Sequence, residues 1–377
     1  AAGIVAAFLA IAAPSANATL PNWAKPQIAT VVSHGLMATS VTTFHPNASL
    51  TLQTLTDLGT GLQEQLGPLP ATPSDTTTGT TDTTGTTTVV DPTTPATMAN
   101  LDRQLVMSLG LRQQAWQFRH ALRAVDLTAP RRFGMEVVAR LLGLRINHPA
   151  EQDNLELRPQ DIATRAEAAY SAAQILSFGH IANSWQIAEI KQLAATISLP
   201  TLSIWQQRIL NVAISKIGMP YVWGGTSDGP EAPFGVQARG GYDCSGFVWR
   251  VYKLQRYADE GNLASRIQGR TTYQMSVEVP QTQRITFAKL QPADVIFFGA
   301  HGPQSTGGEI IHTGIYVGGG WFIHSSGQGV ALAQLTGWYR TEFAWGRRPL
   351  REAGLESTPS TATGPVHRTA TGTAHAV

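Results

Sequence analysis

Cys244 is the single cysteine of a 377-residue chain, and it stands in the run Asp243-Cys244-Ser245-Gly246. Behind it Phe247, Val248, Val251, Tyr252 and Leu254 recur at helical spacing, which puts the sulfur in the first turn of a helix. Free amides and the macrodipole at such an end favour negative charge, so they are expected to lower the thiol pKa. A lone cysteine is more often a small buried hydrophobe than a nucleophile. Its neighbours must decide.

The second chemical element is a pair of histidines. Two β-rich runs, Glu309 to Val317 and Trp321 to His324, flank Gly318-Gly319-Gly320, the pattern of a hairpin. His312 and His324 lie six residues either side of Gly318. In a symmetric hairpin they would face each other with Cβ atoms about 5 Å apart, and a bulge in the turn would shift that pairing. Two imidazoles beside a helix-start thiol fit base-assisted nucleophilic attack, one taking the proton and the other orienting it. The same residues also fit a histidine pair on a polar sheet face, or a Cys-His-His zinc site. No CxxC or HExxH spacing accompanies them, and the nucleophilic reading needs neither metal nor organic cofactor.

The elements that must position these groups can be followed upstream. A helix over Trp205 to Ile217 carries Ile209, Val212, Ala213 and Lys216 on one stripe and is stopped by Gly218 and Pro220. Tyr221-Val222-Trp223-Gly224-Gly225 follows, then a Gly/Pro-rich insert from Thr226 to Tyr242. Helical periodicity also marks Leu101 to Leu111, Phe133 to Leu144, Thr164 to Leu176 and Trp185 to Ile197. Thr164 with Glu167 reads as a capping box.

Composition supplies the frame. The chain is 42% hydrophobic and only 14% charged, with a formal net charge of +2. That balance and the absence of a Lys/Arg cluster argue against a nucleic-acid partner. Ala1 to Ala13 is apolar and uncharged, and Ala16-Asn17-Ala18 has the small-x-small form of a signal cleavage site. That run is too short to span a bilayer and no later one is long enough, so a secreted protein, soluble or wall-associated, without a transmembrane segment is expected. One cysteine leaves no internal disulfide. Residues 72–97 are dominated by Thr, and the end of the chain is similarly Ser/Thr-rich; neither can bury enough to offset its ordering entropy. The expected organisation is a signal remnant at 1–18, a first module at 19–71 and a linker at 72–98. A helical region at 99–200, a catalytic domain at 201–350 and a loose tail at 351–377 complete it.

Two resemblances add to this reading. Thr164-Arg165-Ala166-Glu167, after Leu157-Arg158-Pro159, resembles the signature of S-layer homology repeats. Asn22-Trp23-Ala24 with Phe44-His45-Pro46 is similar to the opening half of such a repeat, and Phe133-Gly134-Met135-Glu136 to a degenerate middle one. This resemblance implies an anchor on cell-wall polysaccharide, with Arg165 and Glu167 at the glycan.

The other resemblance is denser. Pro220 to Gly225, Asp243 to Phe247, Arg270-Thr271-Thr272, Leu290 to Phe298 and His312 to Val317 resemble, in order, the motifs of the NlpC-type peptidase family. It implies a papain-like α+β fold, a helix on a mostly antiparallel sheet, preceded here by a mainly helical, S-layer-homology-like region. It implies hydrolysis of peptidoglycan stem peptides, typically the D-γ-glutamyl to diaminopimelate bond, with Cys244 as nucleophile, His312 as base and His324 as orienting residue. Tyr221 matches a tyrosine near the oxyanion site, and Asp243 and Ser245 match positions that contact substrate. Asp243 fits a plain helix cap equally well. Arg270 would meet a substrate carboxylate or form a surface ion pair. The long insert and Ala293, where the family usually has Gly, depart from the pattern. A wall-anchored protein with a vestigial site and a papain-like amidase or acyltransferase remain as alternatives, since one triad serves several chemistries.

Overall fold

The computed structural model describes residues 22–68 and 91–356. The signal-like segment, most of the Thr-rich linker and most of the tail lie outside the described residues. The amino-terminal part is helical: α1 (Lys25–Ser33), α2 (Leu52–Leu66), α3 (Met98–Ser108), α4 (Arg112–Arg123), α5 (Phe133–Leu141), α6 (Arg165–Leu176), α7 (Trp185–Thr196) and α8 (Ile204–Ser215). Hydroxyl caps start most of the long ones: Thr51, Thr97, Thr164, Ser184 and Ser203 each accept an amide three residues on. Thr97 and Ser203 form reciprocal capping boxes with Asn100 and Gln206. The box expected at Thr164 is only half formed, because the Glu167 side chain turns inward to His148 Nε2 at 3.2 Å.

Three of these caps meet. Leu50 N–H donates to the carbonyl of Ala163, Ala163 N–H to that of Ala96, and Ala96 N–H to that of Leu50, closing a ring. Around it Leu52 donates to Thr94, Met98 to Asp161 and Arg165 to Ala48, so three segments repeat one hydrogen-bond pattern. Each has a proline, then a small or apolar residue four positions on, then the capping threonine: Pro46, Leu50, Thr51; Pro92, Ala96, Thr97; Pro159, Ala163, Thr164. The middle member is therefore 92–98, not Phe133 to Glu136, which opens α5. Residues 92–98 belong to the helical body, although their composition reads as linker, and Ala96 and Met98 sit in its core.

The carboxy-terminal part opens with a two-stranded ribbon, β1 (Thr226–Ser227) and β2 (Gly241–Tyr242), then α9 (Cys244–Trp249), extended by a π-helical turn over Arg250–Leu254, and α10 (Thr272–Val277). Next come β3 (Val295–Gly299), β4 (Ile310–Gly318), β5 (Trp321–Ser326), β6 (Gly329–Gln334), α11 (Gly337–Thr341) and β7 (Phe343–Arg347). The antiparallel sheet runs β6-β5-β4-β3-β7, with α9 against β4 and β5. This is the helix-on-antiparallel-sheet α+β arrangement read from the sequence. Ala293 enters β3 at φ +70, so its side chain is held where glycine is at ease.

One hydrophobic core runs through both parts. Phe118 of α4 meets Trp321 of β5 edge-on, with ring centroids 5.7 Å apart, and both are fully buried. Burying each such ring stabilises by about 2 kcal/mol or more. Polar ties reinforce the seam: Gln328 exchanges two hydrogen bonds with the Arg145 backbone at 3.0 and 3.2 Å, and Arg140 donates to the Gly218 carbonyl at 3.1 Å. The helical body is thereby fixed to the chain segment that leads into Tyr221.

Candidate active site

Asp243 begins α9. One carboxylate oxygen caps the Gly246 amide, and the other accepts Gly224 N–H at 3.0 Å. Arg270 closes the brace, donating to both Asp243 oxygens, to Ser245 Oγ at 2.7 Å and to the Gly224 carbonyl at 2.8 Å. Asp243, Ser245 and Arg270, expected to meet substrate, are thus bonded to one another while also lining the cleft. Their common effect is to lock the start of α9 against the Gly224-Gly225 turn. Contact there is close enough that a Cβ on Gly246 would lie 1.9 Å from the Gly225 carbonyl oxygen.

Cys244 follows directly and lies half-buried in a cavity of about 670 Å³. Tyr221, Thr272, His312 and Ser326 line the same cavity. Thr272 Oγ1 is 3.7 Å from the sulfur. Burial and the Asp243 carboxylate push the thiol up to about 11, outweighing the Thr272 hydroxyl and the Ser245 and Thr313 amides. The lowered thiol pKa expected from a helix terminus is therefore not found in the resting site. Taking the thiolate out of water costs more than the helix start returns.

His312 of β4 and His324 of β5 are bonded, Nε2 to Nδ1, at 2.8 Å. Their strand register differs from the symmetric hairpin. Ile315 faces Ile323 and Tyr316 faces Phe322, with a shift before the Gly318–Trp321 pair, so Gly314 falls opposite His324. The histidines are diagonal neighbours on one face, a separation two long side chains can bridge. Gly314 leaves the room, since a Cβ there would stand 3.1 Å from His324 Cβ. Burial drives His312 down to about 4, and burial with its neighbour's influence drives His324 well below its ordinary value. Thiol and both imidazoles are neutral near pH 7. With Nε2 of His312 committed to His324, Nδ1 is the nitrogen left to take a thiol proton.

Several contributors had no local sequence signal. Tyr339, on α11, places its hydroxyl 3.5 Å from His324 Nε2. Asn147 reaches the cleft from the helical body, and Asp153 accepts the Trp223 amide at 3.1 Å. On the rim, Trp223 and Phe234 stand 55% and 70% exposed, with ring centroids 6.5 Å apart. Phe234 belongs to the insert, which Glu231 holds by accepting the Thr226 and Ser227 amides at 2.7 and 3.0 Å. Tyr221 is raised by burial first and by the Asp243 carboxylate, so its phenol stays protonated and can donate.

Away from this cleft, Arg165 donates through Nε to the Phe44 carbonyl at 2.7 Å, and its guanidinium lies over the Phe44 ring. Glu167 is buried against His148 and is not presented to solvent. A larger cavity of about 1160 Å³, lined by Arg284, Arg347, Arg348 and Arg351 among others, contains neither Cys244 nor either histidine. Among the described residues no cluster of three His, Cys, Asp or Glu is gathered to hold a metal.

A thiol at a helix start, sharing a cleft with the bonded imidazoles of an antiparallel sheet, is the arrangement expected of a papain-like fold. Residues 218–348 match the NlpC/P60 family, and the carboxy-terminal third is an NlpC/P60 domain. The chain is 31% identical over 137 residues to the probable endopeptidase p60 of Listeria grayi, covering 36% of this chain and 21% of the relative. It is 29% identical over 131 residues to the gamma-D-glutamyl-L-lysine dipeptidyl-peptidase of Bacillus subtilis, 34% of each chain. To the murein DD-endopeptidase MepH of Escherichia coli it is 31% identical over 135 residues, 34% of this chain and 39% of that one. An NlpC/P60 family protein from Bacillus cereus aligns over 41% of this chain and 42% of its own, at 28% identity and a TM-score of 0.27. The chain thus spans between about a fifth and two-fifths of the length of these curated relatives.

Proposed function

We propose that this protein is a cysteine endopeptidase of peptidoglycan, cutting stem peptides at the D-γ-glutamyl to diaminopimelate bond. The observation that carries the reading is the shared cavity of Cys244 and a His312 whose Nε2 is bonded to His324 while its Nδ1 stays free. In the reaction the thiol proton passes to His312 Nδ1 as sulfur attacks the amide carbonyl. The Cys244 amide and the Tyr221 hydroxyl donate to the developing oxyanion. Imidazolium His312 then protonates the leaving amine, and water, activated by the regenerated base, releases the acyl group. Relatives named as a gamma-D-glutamyl-L-lysine dipeptidyl-peptidase and a murein DD-endopeptidase support the substrate class. The test is mass spectrometry of defined muropeptides digested by the full chain: products ending in D-γ-glutamate support the bond, and products cleaved only elsewhere refute it.

The helical body is proposed to anchor the enzyme on cell-wall polysaccharide, outside the cytoplasm. A cavity of about 660 Å³ between α1, α2 and Arg165, lined by His34, Asp57 and Glu64, supports this reading. Co-sedimentation of the Cys244→Ala chain with purified walls tests it. Equal pelleting before and after the wall polysaccharide is stripped would refute it.

A further inference from the structure

We infer that Tyr339 is a positioning residue for the proposed reaction, acting through His324 to fix which nitrogen of that ring carries the proton. The inference rests on the peptidase reading of the same site. When His312 has taken the thiol proton at Nδ1, both of its nitrogens are protonated, and Nε2–H must donate. Its partner is His324 Nδ1 at 2.8 Å, which can accept only as a bare lone pair. The single proton of neutral His324 must then sit on Nε2.

That proton has to find an acceptor, because His324 is only 2% exposed. Tyr339 Oη, at 3.5 Å, is the hydrogen-bond partner of Nε2. The ring stands edge-on to His324 with centroids 5.2 Å apart, and it is wedged against Phe322 and Phe298 at 4.9 and 5.4 Å. Packing thus fixes the hydroxyl beside Nε2.

Without this acceptor the alternative tautomer wins. His324 Nδ1–H would donate to a bare His312 Nε2, and the His312 proton would move to Nδ1, facing the thiol. In that state His312 has no lone pair to offer the sulfur. Tyr339 therefore biases the pair toward the form in which the base is ready. It touches neither the thiol nor a reacting atom, which separates its role from that of the catalytic groups.

The experiment uses the full chain and Tyr339→Phe, which keeps the ring packing and removes only the hydroxyl. Nitrogen-15 imidazole spectra report the His324 tautomer without turnover, and the rate of Cys244 alkylation by iodoacetamide at pH 7 reports base assistance. The expected result is an Nε2-protonated His324 in the parent chain and a shift to Nδ1 in the variant. Alkylation should fall about tenfold, the factor of one modest hydrogen bond. An Nδ1-protonated His324 in the parent chain overturns the inference even if the variant fails to fold. So does a variant with unchanged tautomer and alkylation rate. A parent chain that hydrolyses no muropeptide would refute the peptidase reading while leaving the tautomer measurement intact, so the two failures are distinguishable.

Discussion

Replacing Gly246 with alanine tests whether the brace at the start of α9 sets the nucleophile. The new Cβ would lie 1.9 Å from the Gly225 carbonyl oxygen, 2.9 Å from Arg270 Nη2 and 3.0 Å from Asp243 Oδ1. The first is a backbone atom and cannot swing aside, so helix and turn must part by about 1 Å to reach even the tightest real contact. Overpacking of this kind costs about 1–3 kcal/mol, and alanine's better helix propensity returns up to about 1 kcal/mol. The net loss of stability is therefore modest, roughly 1–2 kcal/mol. Activity should suffer far more, because a displacement of about 1 Å at a reacting atom costs on the order of 100-fold in rate. Muropeptide hydrolysis and the urea midpoint are measured together, with Gly308→Ala, where no atom lies within 4 Å, as the control. Gly246→Ala with hydrolysis within threefold of the parent chain would refute the claim that this contact places the thiol.

Two further outcomes follow from the buried ionisable groups. With His312 depressed to about 4 and Cys244 raised to about 11, kcat/KM should stay level across neutral pH. It should fall only as pH drops through about 4, where the base becomes charged; an acid limb near 6.5 in the pH profile would contradict this. Glu156, buried beside Arg145, is raised by burial from 4.5 to about 7. Its folded-state pKa exceeds the unfolded one, so stability is lost as pH rises between those values. The loss is roughly 3 kcal/mol, and Glu156→Gln should remove that share of the slope in urea midpoints taken at pH 4.5 and 7.5; an unchanged slope would count against it.

The chemistry was more legible in the sequence than its environment. Cys244 could be placed at a helix start because Asp243 caps it and apolar residues behind it keep helical spacing, and the structure has both features. The histidine pair was legible as far as sharing a face. Its register was not, because three consecutive glycines with positive φ, Gly318, Gly319 and Gly320, permit a shifted turn that no local signal reveals. The thiol's burial was not legible, because a helix terminus is visible in sequence and packing against a sheet is not. Tyr339 sits between β6 and β7, and only tertiary packing brings it to His324. In the amino-terminal half a threefold pattern was present at Pro46, Pro92 and Pro159, but unequal gaps hid it, and Thr-rich composition disguised its middle member as linker.

Cys244→Ala in the full chain, assayed on muropeptides beside the parent protein with the fold checked by urea unfolding, bears most directly on the enzymatic claim. Loss of all hydrolysis with the unfolding midpoint preserved is the expected result. Cleavage that persists at the parent rate in the folded variant would contradict the account.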